Sequence, residues 1–165
     1  MKSPAVVALG AVAAVAALVA VWFGWSWASA AHDQAATRAR DRDAVLAAAS
    51  EALTALNTVD YHDPGPAVDR WIQVTTGELG KTLSGDRQLQ LDRTTATRTV
   101  ASARVNQAAV AEVDPAAGTA RVLAVLDVRL STNGAPSVPS RTRLNASLAR
   151  TDDGWKVDSV QAASS

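Results

Sequence analysis

The chain has 165 residues, of which 16 are basic and 16 are acidic, so its formal net charge at neutral pH is zero. A nucleic-acid-binding domain needs a clustered basic surface. This charge balance does not predict one, and we expect no nucleic-acid partner. The chain has no cysteine, which excludes disulfide bonds, thiolate nucleophiles and thiolate-ligated metal sites.

The chain begins with a long apolar segment, PAVVALGAVAAVAALVAVWFGWSW, from Pro4 to Trp27. A helix needs about 20 apolar residues to cross the hydrocarbon core of a bilayer, and tryptophans at the end of the segment are typical of a membrane interface. We therefore predict that residues 1–31 form an uncleaved single-pass membrane anchor. The side chains expected in or at the lipid are Val6, Leu9, Val12, Val15, Leu18, Val21, Trp22, Phe23, Trp25 and Trp27.

Two questions about the anchor stay open. Ala28-Ser29-Ala30 matches the cleavage site of a secretory signal peptide, although the apolar run exceeds the roughly 7–15 residues usual there. The positive-inside rule, counted naively on Arg38, Arg40 and Arg42, would place the C-terminal domain in the cytoplasm. Residues 32–165, about 130 residues, are enough for one domain with a single core.

The segment from Ala36 to Thr58 has helical periodicity, because its apolar residues recur on one face of a helix. The positions of this stripe are Val45, Leu46, Ala49, Leu53 and Leu56. We predict a helix that packs this stripe against a sheet. A coiled coil is the alternative, but the stripe covers barely two heptads.

The helix is followed by the sequence VDYHDP, which brings together a tyrosine, a histidine and two aspartates. We predict a hinge in which Tyr61 packs at the helix end and Asp60 or Asp63 caps the next helix. A metal or catalytic site is the alternative. The only histidines are His32 and His62, and adjacent residues of a turn diverge, so we expect neither a metal nor a cofactor.

Two further helical segments are predicted after the hinge. The first covers residues 67–74, follows two prolines, and directs Trp71 inward. The second begins near Thr76, where the sequence TTGEL gives Thr75 and Glu78 the spacing of a capping box. It continues, with one interruption, to about residue 95.

From Val100 onward apolar and polar residues alternate, which predicts β-strands. Four strands are expected, at residues 100–113, 119–130, 141–150 and 154–160. The irregular middle at Gln107-Ala108-Ala109 predicts a bulge in the first of them. The turn sequences DPAAG, TNGAPSVP and DDG separate the strands, so neighbours are expected to be antiparallel. Helices followed by such a meander predict an α+β fold with a four-stranded antiparallel sheet.

One face of the predicted sheet is apolar. Packing against the helices is one interpretation of this face, and a concave pocket that holds an acyl chain or sterol is the alternative. The candidate core or pocket residues, including two from the helical part, are Tyr61, Trp71, Val122, Ala124, Leu126, Leu144, Leu148, Trp155 and Val157. Partner binding is expected on the other face of the sheet or at the polar loop of residues 133–140.

Asp127 is the carboxylate most suggestive of catalysis, because it lies in the middle of an apolar strand. An isomerase or dehydratase would need an acid tuned by an apolar pocket and a donor for the developing oxyanion. Asp127 shares its strand face with Arg129, which favours a solvated or ion-paired carboxylate. The sequence also has no G-x-S-x-G nucleophile motif. We expect no enzymatic activity.

Three short motifs follow the apolar segment in a fixed order: LNTVDY at Leu56–Tyr61, TTGEL at Thr75–Leu79 and DGWKV at Asp153–Val157. With these motifs the chain resembles, over essentially its whole length, the Mce-associated membrane proteins of actinobacteria. The segment from Lys81 to Asp92 is less apolar than that family leads us to expect.

The resemblance implies a domain similar to nuclear transport factor 2 (NTF2), placed outside the cytoplasmic membrane behind a helix with a cytoplasmic N-terminus. This orientation overrides the naive arginine count. It also implies a non-enzymatic accessory or stabilising subunit of an Mce-type system that imports sterols or fatty acids. The expected partners are the membrane and subunits of the transporter or other envelope proteins. The first alternative is a lipid-binding module. The second, less favoured, is an isomerase- or dehydratase-like enzyme that uses the concave pocket of the sheet.

Overall fold

The computed structural model describes Trp22 and residues 35–163. The chain divides into two compact units, Met1–Arg40 and Asp41–Ser165. In the first unit, Trp22 and residues 35–40 are helical. Apart from Trp22, the anchor predicted at residues 1–31 lies outside the described residues, as do its other lipid-facing side chains. Within the described ranges, no helix combines the length and the apolar character that a membrane span requires.

Four helices precede the long strands in the described part of the second unit. They are α1 (residues 41–56), α2 (Gly65–Val74), α3 (Gly77–Gly85) and α4 (Arg87–Thr97). The interruption predicted in the last helical segment is confirmed at Asp86, which lies between α3 and α4. Its carboxylate accepts a hydrogen bond from the N–H of Leu89 at 2.9 Å and so caps α4.

The strands form one antiparallel sheet in chain order. They are β1 (Val59–Asp60), β2 (Thr99–Asp114), β3 (Thr119–Thr132), β4 (Val138–Thr151) and β5 (Gly154–Ala162). The predicted α+β fold and the four long strands are confirmed, but the predicted strand count is wrong because the sheet has five strands. Val59 and Asp60, interpreted as part of a hinge, lie opposite Ala101 and Val100 of β2. Two residues are too few to show an alternating pattern.

The face of the sheet that packs on the helices, here called the inner face, forms the core. Val122 and Leu126 of β3 have no exposed surface. They belong to one apolar cluster with Val45, Ala49 and Leu53 of α1. The predicted packing of the first helix on the sheet is therefore confirmed. Because successive residues of a strand point to opposite sides, the alternate residues form an outer face.

Helices α2 and α3 are held to α1 and β5 by polar contacts. The indole Nε1 of Trp71 donates to the carbonyl of Ala55 at 2.8 Å, and the N–H of Thr76 donates to the carbonyl of Val157 at 2.8 Å. The predicted capping box at the start of α3 is wrong. The hydroxyl of Thr75 donates to the carbonyl of Trp71 instead, and the side chain of Thr76, the N-cap residue of α3, makes no capping bond.

The register between β2 and β3 shifts at Asn106 and again at Ala111. Each shift adds one residue to β2 without a partner on β3, as in a β-bulge. The bulge predicted at residues 107–109 is thus confirmed in the middle of β2, with the inserted residues on either side of the predicted range. At Asn106 the shift brings the side-chain amide to Asp127 of β3, where it donates a hydrogen bond.

Candidate functional site

Charged side chains lie in register across three strands on the outer face of the sheet. Arg104 of β2 is opposite Asp127 of β3, and Asp127 is in turn opposite Arg141 of β4. Directly opposed side chains of antiparallel strands have Cβ atoms only about 4.5–5.5 Å apart. The register therefore holds one carboxylate between two guanidinium groups.

Asp127 is the hydrogen-bond acceptor at the middle of this row. The Nε of Arg141 donates to its Oδ1 at 2.8 Å, and the Nδ2 of Asn106 donates to its Oδ2 at 2.6 Å. The sequence suggested Arg129 as a partner, but Arg129 is two positions along the same strand. A cross-strand neighbour lies closer than the roughly 6.6 Å that separates such positions, so Arg141 takes the carboxylate.

The two hydrogen bonds fix the protonation state of Asp127. The bond from Arg141, followed by the bond from Asn106 and the charges of Arg141 and Arg104, lowers the pKa of the Asp127 carboxyl below its ordinary value. The same contact raises the pKa of the Arg141 guanidinium. Asp127 is therefore ionised at neutral pH and orients its neighbours. A carboxyl that acts as a general acid near neutral pH needs a raised pKa instead.

Four arginines on this face form what we call the arginine patch: Arg104, Arg129, Arg141 and Arg143. Arg141 is paired with Asp127, whereas the other three have no acidic partner within salt-bridge distance in the part of the chain that the structure describes. An open cleft of about 700 Å³ is lined by three of these arginines, Arg104, Arg129 and Arg141, and also by Ser102 and Ser140. The patch thus carries excess positive charge on a chain of zero net charge.

Beside the patch lies a small apolar area, here called the apolar centre, made of Ala109, Leu123 and Val125. Ala109 is opposite Leu123, Val125 is opposite Arg143 of the patch, and Leu123 has 46% of its surface exposed. A second open cleft of about 530 Å³ covers this area. Arginine is enriched at protein interfaces, and an apolar area that lies next to arginines can be covered by the same partner.

The far side of the apolar centre is polar and charge-balanced. Glu112 of β2 is opposite Arg121 of β3, and their side chains form an exposed ion pair at 3.4 Å. Exposed pairs of this kind contribute little to stability. The outer face therefore changes along the strands from a positively charged end, through an apolar centre, to a neutral polar end.

The sequence-predicted core or pocket residues lie on the inner face or near it. Six of them are buried in the apolar cluster: Val122, Ala124, Leu126, Leu144, Leu148 and Val157. Trp155 packs against that cluster, and the guanidinium of Arg150 lies 5.6 Å from its ring centroid. Tyr61 and Trp71 are half-buried at the helical side. Side chains of α1 pack against this part of the sheet.

The VDYHDP sequence forms the edge strand β1 and a turn. Oδ1 of Asp60 accepts from the backbone N–H of His62 at 2.9 Å and lies 2.6 Å from its Nδ1. These bonds lower the pKa of the Asp60 carboxyl, and the Tyr61 ring lies against the imidazole. The prediction that an aspartate caps α2 is wrong, because its N-cap residue is Pro64 and no side chain caps it. No group of three or more candidate metal ligands occurs among the described residues.

Comparisons with known proteins identify the fold. No protein-family model and no curated protein matches the chain. A solved IcmL-like type IV secretion system protein from Legionella pneumophila superposes with a TM-score of 0.57 at 13% identity, over 74% of this chain and 91% of that chain. The periplasmic domain of DotI superposes with a TM-score of 0.57 at 16% identity, over 73% of this chain and 94% of that chain.

A third solved structure, CagV from Helicobacter pylori, is described as a VirB8 homolog of the type IV secretion system. It superposes with a TM-score of 0.54 at 11% identity, over 74% of this chain and 98% of that chain. Identities this low show a shared fold and leave function to be argued from the site. The mixed α+β architecture expected from the sequence is thereby confirmed, with the sheet corrected to five strands.

The sequence alone does not reveal the arginine patch as a unit, although the outer sheet face was expected to bind partners. The alternation of residues 141–150 puts Arg143 on the outer side, and Asp127 was recognised as lying on the same face as Arg129. What the sequence lacks is the register between strands, which depends on the bulge at Asn106. A one-residue slip would have moved Arg104 to the other face.

Proposed function

We propose that this protein is a non-enzymatic accessory subunit of a multi-subunit assembly in the cell envelope. The observation that carries the proposal is the outer face, where an arginine patch and an apolar centre lie exposed on a sheet whose inner face is packed as a core. Such a surface suits a protein partner. Three solved structures of similar fold are a type IV secretion system protein, the periplasmic domain of DotI and a periplasmic fragment of TraM, which supports an extracytoplasmic, envelope-associated role.

We further propose that the assembly is an Mce-type importer of sterols or fatty acids. The support is the order of the LNTVDY, TTGEL and DGWKV motifs behind an apolar N-terminal segment. In the folded domain two of these motifs contact each other, since Thr75 of TTGEL bridges to Val157 of DGWKV. These two motifs therefore lie together in the folded domain.

The absence of enzymatic activity is part of the proposal. An isomerase-like reaction would use a carboxyl whose pKa is raised by an apolar pocket. The hydrogen bonds from Arg141 and Asn106 and the charge of Arg104 instead lower the pKa of the Asp127 carboxyl. A lipid-binding module would need apolar volume between α1 and the sheet. Val45, Ala49 and Leu53 are packed in the core there.

The experiment that tests this function is affinity capture of the full chain from native membranes of its own host, followed by identification of co-purifying proteins. We expect subunits of an Mce-type transporter, and we expect those subunits to decrease in abundance when the gene for this chain is deleted. Capture that repeatedly returns other envelope proteins and no transport subunit would overturn the Mce assignment. A gene deletion that leaves transport subunits at normal abundance would argue against a stabilising role.

A further inference from the structure

The outer face is charged in a way that selects its partner. Three of the four arginines in the patch, Arg104, Arg129 and Arg143, form no salt bridge among the described residues, although Arg104 lies opposite Asp127. The one acidic side chain in their midst, Asp127, is already engaged by Arg141 and Asn106. A surface with unpaired positive charge attracts a negatively charged partner and disfavours a positive one.

The side chains themselves favour carboxylates on a protein. Arginine presents a planar fork of N–H donors that matches a carboxylate, and the face already holds one arginine–carboxylate pair, in which Nε of Arg141 donates to Oδ1 of Asp127. Amphipathic segments that lie on a membrane surface combine their basic residues with protruding aromatic and apolar side chains. The described outer-face residues of β2, β3 and β4 include no aromatic residue, and their exposed apolar side chain, Leu123, lies in a cleft.

We infer that the outer face binds an acidic segment of a protein partner, with carboxylates against Arg104, Arg129 and Arg143 and an apolar side chain over Leu123 and Val125. The two clefts, about 700 Å³ over the patch and about 530 Å³ over the apolar centre, both include residues of β3, so one segment can cover both. This inference rests on the docking role proposed above, but it does not depend on which envelope assembly supplies the partner.

The test is site-specific photo-cross-linking in cells that produce the full chain. Leu123→p-benzoylphenylalanine places the cross-linker in the apolar centre. The control, Leu89→p-benzoylphenylalanine, places it on α4, where Leu89 is 39% exposed. We expect a protein adduct from position 123, and we expect mass spectrometry of the cross-linked peptide to show a segment in which Asp and Glu clearly outnumber Lys and Arg.

Charge variants decide whether the arginine patch is responsible. Arg104→Gln combined with Arg143→Gln removes two unpaired charges, and we expect the adduct yield to fall about fivefold. Lys81→Gln combined with Arg93→Gln removes two exposed positive charges from α3 and α4, and we expect it to leave the yield unchanged. Circular dichroism of both purified variants checks that each remains folded.

Several results would overturn the inference. They are no adduct at position 123, an adduct formed only with lipid, a cross-linked segment that is neutral or basic, and a yield that both variant pairs reduce equally. The result is independent of the Mce assignment. An acidic segment from a protein that is not a transport subunit would support the inference and contradict the Mce assignment. Capture of transport subunits without an adduct at position 123 would support the Mce assignment and contradict the inference.

Discussion

At the scale of single residues, Asp127 is a positioning group. Each of its carboxylate oxygens accepts a hydrogen bond from a different strand. Arg141 of β4 donates to Oδ1, and Asn106 of β2 donates to Oδ2. The carboxylate thereby links three strands on a face that has no covering helix side chains in the described core cluster. Its role is to orient Arg141 within the arginine patch.

The first prediction concerns the protonation of Asp127. Because the bond from Arg141 is the main reason that the pKa of the Asp127 carboxyl is lowered, Arg141→Gln should raise that pKa toward the ordinary value of 3.8. A carboxyl whose folded-state pKa is lowered stabilises the fold above its unfolded pKa, and this contribution is lost as pH falls through the lowered value. The variant should therefore lose less stability on acidification than the original chain.

Carbon-13 NMR titration of the side-chain carboxyls measures this directly. Asp69 is the internal control, because the hydrogen bond from Arg87 of α4 lowers the pKa of its carboxyl independently of the sheet. Its titration should be the same in both proteins. An Asp127 carboxyl that titrates at the same pH with and without Arg141 would contradict the prediction.

At the scale of secondary-structure elements, the start of α3 depends on a single glycine. Gly77 has a φ of +60°, and a Cβ at this position would lie 1.6 Å from the Oδ1 of Asp158 in β5. Gly77→Ala should therefore lower the free energy of unfolding by at least about 1 kcal/mol, because the left-handed conformation alone costs a residue with a Cβ about 1–2 kcal/mol.

The matched control is Gly85→Ala in the same helix. A Cβ added at Gly85 would meet no atom within 4 Å, and the φ of Gly85 is not positive. Alanine there should be neutral or stabilise by up to about 1 kcal/mol. Urea denaturation of both variants gives the comparison. Equal midpoints for the two alanine variants would contradict the proposed constraint at Gly77.

A second element-scale prediction concerns the contact between α1 and the sheet. Leu53 has no exposed surface and belongs to the same cluster as Leu126. Leu53→Ala should lower the free energy of unfolding by about 2–5 kcal/mol, the usual cost of such a truncation in a packed core. Leu89→Ala, at a position 39% exposed, should cost much less. Denaturant unfolding monitored by circular dichroism measures both, and similar costs at the two sites would be inconsistent with this packing.

The elements that the sequence predicts well are those with long periodic patterns. The alternation through Val122 and Leu126, and the helical stripe through Val45 and Leu53, each repeat several times, so local pattern and tertiary packing agree. The strand β1 was missed because Val59 and Asp60 form no repeat. The prediction of a capping box was wrong because the hydroxyl of Thr75 donates to the carbonyl of Trp71 in the preceding helix. The backbone of Thr75 also bridges to Val157 of β5, a tertiary contact that the local sequence does not reveal.

At the scale of the whole molecule, the decisive prediction is that the domain after the N-terminal segment lies on the extracytoplasmic side of the membrane. If the N-terminal segment anchors the chain with an extracytoplasmic domain, protease added outside intact spheroplasts should digest the region after Ala31. A cytoplasmic protein in the same sample should survive until the spheroplasts are lysed, which controls for leakage. Protection of the region in intact spheroplasts together with digestion after lysis would contradict the extracytoplasmic placement.

The two bulges of β2 also bear on how the molecule behaves when it is crowded. In the described part of the chain, β1 covers only Val100 and Ala101 of this strand, so most of its other edge has no neighbouring strand. A long straight edge of this kind is a template on which further chains can polymerise. The irregularities at Asn106 and Ala111 break the ladder into short pieces. We therefore expect the two inserted residues to make this edge of the sheet a poor template for another strand, while the outer face stays open to a specific contact.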